Sequence, residues 1–152
     1  MKKLFIAWAI LTISVSSKSQ TCDERVDKLL QTMGSFSAAT LYNTYAVIGS
    51  IGDGFGHDAY DAVTVNDLMD AQKKLADNLV KVFLDLKEQK IIQTQADIDY
   101  ANTAITILNG LKIQAQLMED YANTKKQQKL NEYDVQRKKN WSAISKLMGI
   151  PE

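Results

Sequence analysis

Apolar side chains recur along this chain every three or four positions, and nowhere is an alternation of apolar and polar residues sustained. The first spacing places greasy groups on one side of an α-helix, whereas a half-buried strand needs a period of two. Proline, which would interrupt a helix, occurs only at Pro151. The pattern therefore predicts an all-α protein, a bundle of four to five helices dominated by two long antiparallel ones.

The first nineteen residues read differently. Met1-Lys2-Lys3 is followed by an apolar run from Leu4 to Val15 and then by Ser16-Ser17-Lys18-Ser19-Gln20. A basic start, an apolar stretch shorter than the roughly 20 residues a membrane span needs, and small residues at Ser17 and Ser19 describe a cleaved signal peptide over 1–19. The expected location is outside the cytoplasm, periplasmic or extracellular. Removing that segment leaves 133 residues and takes away three of the 18 basic residues, for a formal net charge of −3 against 18 acidic ones. A chain so nearly neutral lacks the surplus of Lys and Arg that nucleic acid requires, so no nucleic-acid partner is expected. Its length suits one domain, residues 20–152. Cys22 is the sole cysteine, so no disulfide can form within the chain and the fold must rest on packing. Ser19-Gln20-Thr21 before it makes a poor lipobox.

Local signals divide the helices. Thr21 with Glu24 forms a capping box, Val26, Leu29, Leu30 and Met33 share a face, and Gly34 is expected to end the first helix. A second is expected from about Ser37, carrying Leu41, Tyr42, Tyr45 and Ile48, and dissolving into Gly49, Gly52, Gly54 and Gly56. A third is expected to be capped by Thr64 with Asp67 and carries the stripe Val65, Leu68, Met69, Leu75, Leu79, Val82, Phe83 and Leu86. A turn near Gln89 to Thr94 would join it to a fourth, capped by Thr94 with Asp97, whose apolar face is wide enough for more than one neighbour. From Lys125 to Asn140 only Leu130, Tyr133 and Val135 are apolar, leaving open whether residues 94–148 form one helix or two. Gly149-Ile150-Pro151 looks like a Schellman end and a stop.

The most unusual composition is Gly49 to Asp61. Four glycines allow close backbone approach, and Asp53, His57, Asp58 and Asp61 supply oxygen and nitrogen donors, which makes this segment a candidate metal or small-ligand loop. It matches neither an EF-hand nor a phosphate-binding loop, and with one histidine the chain cannot build a zinc site needing two imidazoles. No nucleophile–base pattern or Gly-x-Ser-x-Gly context occurs, so no catalytic residues and no cofactor are expected. The uncharged stretch Gly34 to Gly52 has the length of a membrane span but is diluted by Ser, Thr and Asn, which leaves membrane contact an open alternative. Tyr121, Tyr133 and Trp141 are candidate interface anchors, since such side chains bring large contact area at little entropic cost. The function expected is that of an exported, non-enzymatic helical protein that packs against itself or against a protein of the envelope or secretion machinery.

Overall fold

The computed structural model describes residues 22–151, all of whose regular structure is helical: α1 Cys22–Gly56, α2 Ala62–Glu88, α3 Gln95–Thr124 and α4 Gln127–Met148. The signal-peptide assignment over 1–19 and the cap expected at Thr21 lie outside the described residues. The chain is all-α, as the spacing predicts.

Two of the expected helix boundaries are corrected. Gly34 does not end a helix but lies within α1, and the glycine cluster ends one only at its last member: α1, at 35 residues the longest element and about 52 Å long, runs on through Gly49, Gly52 and Gly54 and stops at Gly56. The expected proportion, two dominant helices, is therefore not the one observed. The reason is tertiary. A glycine inside a helix costs about 1 kcal/mol relative to alanine, and here packing offsets that cost. Ile48, Ile51 and Phe55 are buried around the glycines, and Gly52 sits where an added Cβ would lie 2.9 Å from the Tyr133 hydroxyl of α4. Gly52 thus serves close approach between helices rather than turning the chain.

The start of α2 is also corrected. Asp61, not Thr64, is the N-cap, and its carboxylate accepts from the Thr64 backbone N–H at 2.8 Å. Those hydrogen bonds hold the Asp61 carboxyl below the usual carboxylate range. The α3 cap is as the sequence predicts: Thr94 Oγ1 accepts from the Asp97 N–H at 3.1 Å and donates to the Asp97 carboxylate at 2.6 Å. Residues 94–148 form two helices. Lys125 adopts the left-handed conformation, φ 54°, and its N–H turns back to the Tyr121 carbonyl, while α4 begins after Lys126 without a side-chain cap. Gly149, φ 66°, closes α4 in the left-handed position that suits glycine.

All three other helices pack on α3. Cross-links to α2 pair Asn66 with Asn123, Lys73 with Glu119, Asp77 with Lys112 and Lys87 with Asn102, so the α3 partners descend in number as those on α2 rise. On the α4 side Asn140 donates to Gln114 at 2.8 Å, and on the α1 side Phe55 meets Tyr121 edge-on. The core between them holds Leu41, Ile48, Met69, Ile107, Leu108, Leu111, Met118 and Ile144, all essentially inaccessible to water.

Glycine at 110 is a matter of space. An added Cβ would stand 2.3 Å from Asn140 Oδ1, an atom held in the buried Asn140–Gln114–Gln136 network, whereas nothing lies within 4 Å of the same addition at Gly34. Gly34→Ala is expected to raise stability by about 1 kcal/mol through helix propensity. Gly110→Ala is expected to lower it by about 1 to 3 kcal/mol through overpacking. Urea unfolding of both variants followed by far-ultraviolet dichroism checks the opposite signs.

Candidate interaction surface

The second half of α1 is part of the core, but its first half is not. From Glu24 to Thr40 no side chain is fully buried, whereas Leu41, Thr44, Ile48, Ile51 and Phe55 are. Helix α1 is tied to α2 by the short corner 57–61, and away from that corner the two helices leave a cleft of about 730 Å³. Its walls are Leu30, Met33 and Phe36 on α1 and Leu75, Leu79 and Val82 on α2. Ala96 and Ala101 of α3, with Ile92 of the preceding loop, close it.

Cleft chemistry is almost wholly apolar. No Lys, Arg or His lines it, and its one carboxylate, Asp97, is engaged in the Thr94 cap. Its polar point is a small cluster in which the Tyr100 hydroxyl donates to the Gly34 carbonyl at 2.7 Å and lies 2.6 Å from Ser37 Oγ. Beside the cleft runs a ridge: Val26, Leu29, Met33 and Phe36 recur at three- and four-residue spacing, with Leu29 59% and Phe36 75% exposed, and Val82 across the mouth is 46% exposed. Scattered exposed apolar residues are ordinary on proteins, but a contiguous run of large ones beside an apolar cleft marks a surface built to be covered.

The residues expected to anchor an interface are placed elsewhere. Tyr133 is buried between α1 and α4. Tyr121 is half-buried against Phe55, and Trp141 is half-buried, stacked on Tyr45 at 5.7 Å and tilted against Tyr42 at 6.3 Å. Trp141 borders a shallower pocket with Tyr45, Asp134, Arg137, Lys138 and Ser142. There a hydrogen bond donated to Tyr45, ahead of the opposing effect of burial, raises the Arg137 guanidinium above its ordinary value.

Nor does the structure gather the expected metal donors. Asp53 lies on α1, 3.7 Å from the Arg137 guanidinium; Asp61 is committed to the α2 cap; Asp58, φ 56°, and His57 are exposed in the corner. Among the described residues no three or more His, Cys, Asp or Glu side chains are grouped to hold an ion. The segment expected as a loop is helical up to Gly56, which carries Asp53 on α1, while His57, Asp58 and Asp61 stay in the corner between α1 and α2. Among the described residues no helix, including the part of α1 from Gly34 to Gly52, is long and apolar enough to cross a membrane.

The cleft is not legible in composition, because it is assembled from three separate stretches, 30–40, 75–86 and 92–101. Its signal was the stripe Val26, Leu29, Leu30 and Met33 on a segment with few apolar partners of its own. Comparison with known protein families, with curated proteins and with solved structures gives no match.

Two groups, the buried Tyr133 and the half-buried Lys73, shape the response of the bundle to alkali. Burial pushes the Tyr133 hydroxyl above its usual value. Burial opposes the charge of Lys73, but the hydrogen bonds it donates to Glu119, at 2.6 Å, and to Asp70 outweigh it and raise Lys73 above its usual value. Both groups hold their protons more tightly folded than unfolded, so the stability they contribute is complete below about pH 10 and is lost as the pH climbs through the raised folded values. Tyr133→Phe removes the phenol, whose oxygen has no hydrogen-bond partner among the described residues. The variant is expected to melt at or slightly above the wild-type temperature at neutral pH and to lose less of it between pH 9 and 11, as thermal unfolding across that range will register.

Proposed function

We propose that this chain is an exported, non-enzymatic interaction protein that works by packing helices with itself or with a protein of the envelope or secretion machinery. In this reading the cleft between α1 and α2, with the ridge Leu29, Met33 and Phe36, is the working surface. The antiparallel pair α2 and α3 is the scaffold that holds it open. The observation that carries the reading is the juxtaposition of an apolar cleft and an exposed apolar ridge on one side of the molecule. Covering such side chains releases about 25 cal/mol for each Å² removed from water, whereas leaving them wet is a standing cost in solubility. Helix-in-groove recognition needs those parts, a channel between helices and apolar side chains at positions i, i+4 and i+7.

Export rests on the basic, apolar and small-residue order of the first nineteen positions. The chain recovered from cells that produce it is expected to begin at Gln20, which intact-mass measurement reads directly; a chain that retains Met1 to Ser19 argues against cleavage.

The surface is tested by placing a photo-crosslinking amino acid at position 36 in those cells, with position 135 as the reference. Val135 is also well exposed, at 69%, but lies on α4 away from the cleft. Irradiation is expected to give a discrete protein adduct from position 36 and none from position 135. No adduct at 36, or the same adducts at both positions, rejects the cleft as an interaction surface.

A further inference from the structure

Helix α1 is continuous, yet its two halves are held by different means. Leu41, Thr44, Ile48, Ile51 and Phe55 fix the second half in the core, and Gly52 lets Tyr133 of α4 come against it. The change falls at Leu41, because no side chain from Glu24 to Thr40 is fully buried. Nor does intrinsic propensity hold the first half: Thr32, Gly34, Ser35, Ser37 and Thr40 are all weaker helix formers than alanine or leucine.

A polar tie reaches this segment at its middle. Tyr100, on the second turn of α3, lies with its ring tilted against that of Phe83 of α2 at 6.4 Å. Its hydroxyl donates to the Gly34 carbonyl at 2.7 Å, and Ser37 Oγ stands 2.6 Å from that hydroxyl and 2.9 Å from the same carbonyl. These contacts join residues 63 and 66 positions apart in the chain, so they are lost together when the segment leaves α3.

We infer that residues 24–40 are an arm that opens as one unit while the rest of the bundle stays folded, that the Tyr100 hydroxyl is its latch, and that the cleft exists only while the latch is closed. One whole wall of the cleft, from Leu30 to Thr40, belongs to the arm, so opening removes that wall and leaves Leu75, Leu79 and Val82 behind on α2. Proteins open in contiguous units whose free energies follow the density of buried contacts, and here that density steps at Leu41. As a control on binding, the latch depends on the reading of the cleft as an interaction surface; the opening of the arm does not, and the two are measured separately.

Hydrogen exchange of the purified chain at neutral pH, read on proteolytic fragments by mass, tests the arm. Amides within 26–39 are expected to be protected at least about tenfold less than those within 41–52 and 104–118, with a step at Leu41, whereas a frayed end would lose protection gradually towards residue 22. Tyr100→Phe keeps the ring and removes a contact that is broken in either opening, so it is expected to speed exchange within 26–39 and within 104–118 alike, by about two- to tenfold. Ile51→Val loosens the core and leaves the latch intact; it is expected to speed exchange within 104–118 by about two- to tenfold and to leave 26–39 unchanged. Protection of the arm within about tenfold of the core, arm amides that follow Ile51→Val as the core does, or arm amides that Tyr100→Phe leaves unchanged each overturn the arm. An absent position-36 adduct removes the surface and with it the control of binding; an adduct together with any of those three exchange results keeps the surface and overturns the latch.

Discussion

The fold depends on the burial of one broad face of α3. This helix is touched by all three others, and its buried residues alternate in size: Ala101, Ala104 and Ala115 let neighbouring helices come close, while Ile107, Leu108, Leu111 and Met118 fill the space between them. Fully burying one such large side chain is worth about 1.5 to 3 kcal/mol, and an exposed ion pair about 0 to 1. The links between α2 and α3, such as Asp77 with Lys112 and Lys87 with Asn102, are at least partly exposed and therefore align the helices more than they hold them.

Inside this apolar interior is a row of polar groups that a purely greasy core would not need. Thr44, Gln114, Asn140 and Ser145 are all buried. Asn140 donates to Gln114, and Gln136 donates to Asn140, so the α3–α4 contact has one register in which these amides meet. Sliding α4 by one turn would leave both amides buried without partners, at about 1 to 3 kcal/mol for each unsatisfied group. Satisfaction is incomplete even in the observed register: Gln114 Nε2, Glu119 Oε1 and the Tyr133 hydroxyl have no partner among the described residues. The α4 interface is thus more specific than it is strong, in keeping with the few apolar residues the sequence places between Lys125 and Asn140.

Helix class was legible in the sequence because the period of the apolar residues is a local property. So were those boundaries set by a single side chain: Thr94 with Asp97 at the start of α3, and Gly149 ahead of Pro151 at the end of α4. The misread boundaries are those at which a local rule met a tertiary demand. Gly34, Gly49, Gly52 and Gly54 carry the composition of helix ends and loops, yet they lie inside α1, and at Gly52 the reason is that Tyr133 of α4 and Met118 of α3 press against it. The expected metal donors are likewise not grouped among the described residues, since Asp53 is carried on α1 and the Asp61 carboxylate is used to cap α2. The cleft was illegible for a different reason. Which apolar residues of an amphipathic helix stay in water depends on where its neighbours end, and the spacing of Leu29, Met33 and Phe36 does not differ from that of a buried stripe.

The surface left uncovered is also the part of the fold with the least holding it. An isolated helix of fewer than about 12 to 15 residues is marginal in water, and helices in proteins persist mainly because an apolar face is packed. From Glu24 to Thr40 α1 has no fully buried side chain, and its tie to the rest of the bundle includes the Tyr100 contact with Gly34 and Ser37. Opening free energies vary along a chain with the number of buried contacts, so this half of α1 belongs to the low end of the range while Leu41 to Phe55 belong to the high end. Whatever covers the ridge therefore stabilises the helix that presents it, and part of the binding free energy is spent in ordering that segment. Affinity at the cleft and helicity of the first half of α1 are then one coupled quantity: a substitution that strengthens the helix without touching the ridge strengthens the contact, and loss of the contact loosens the helix before the core.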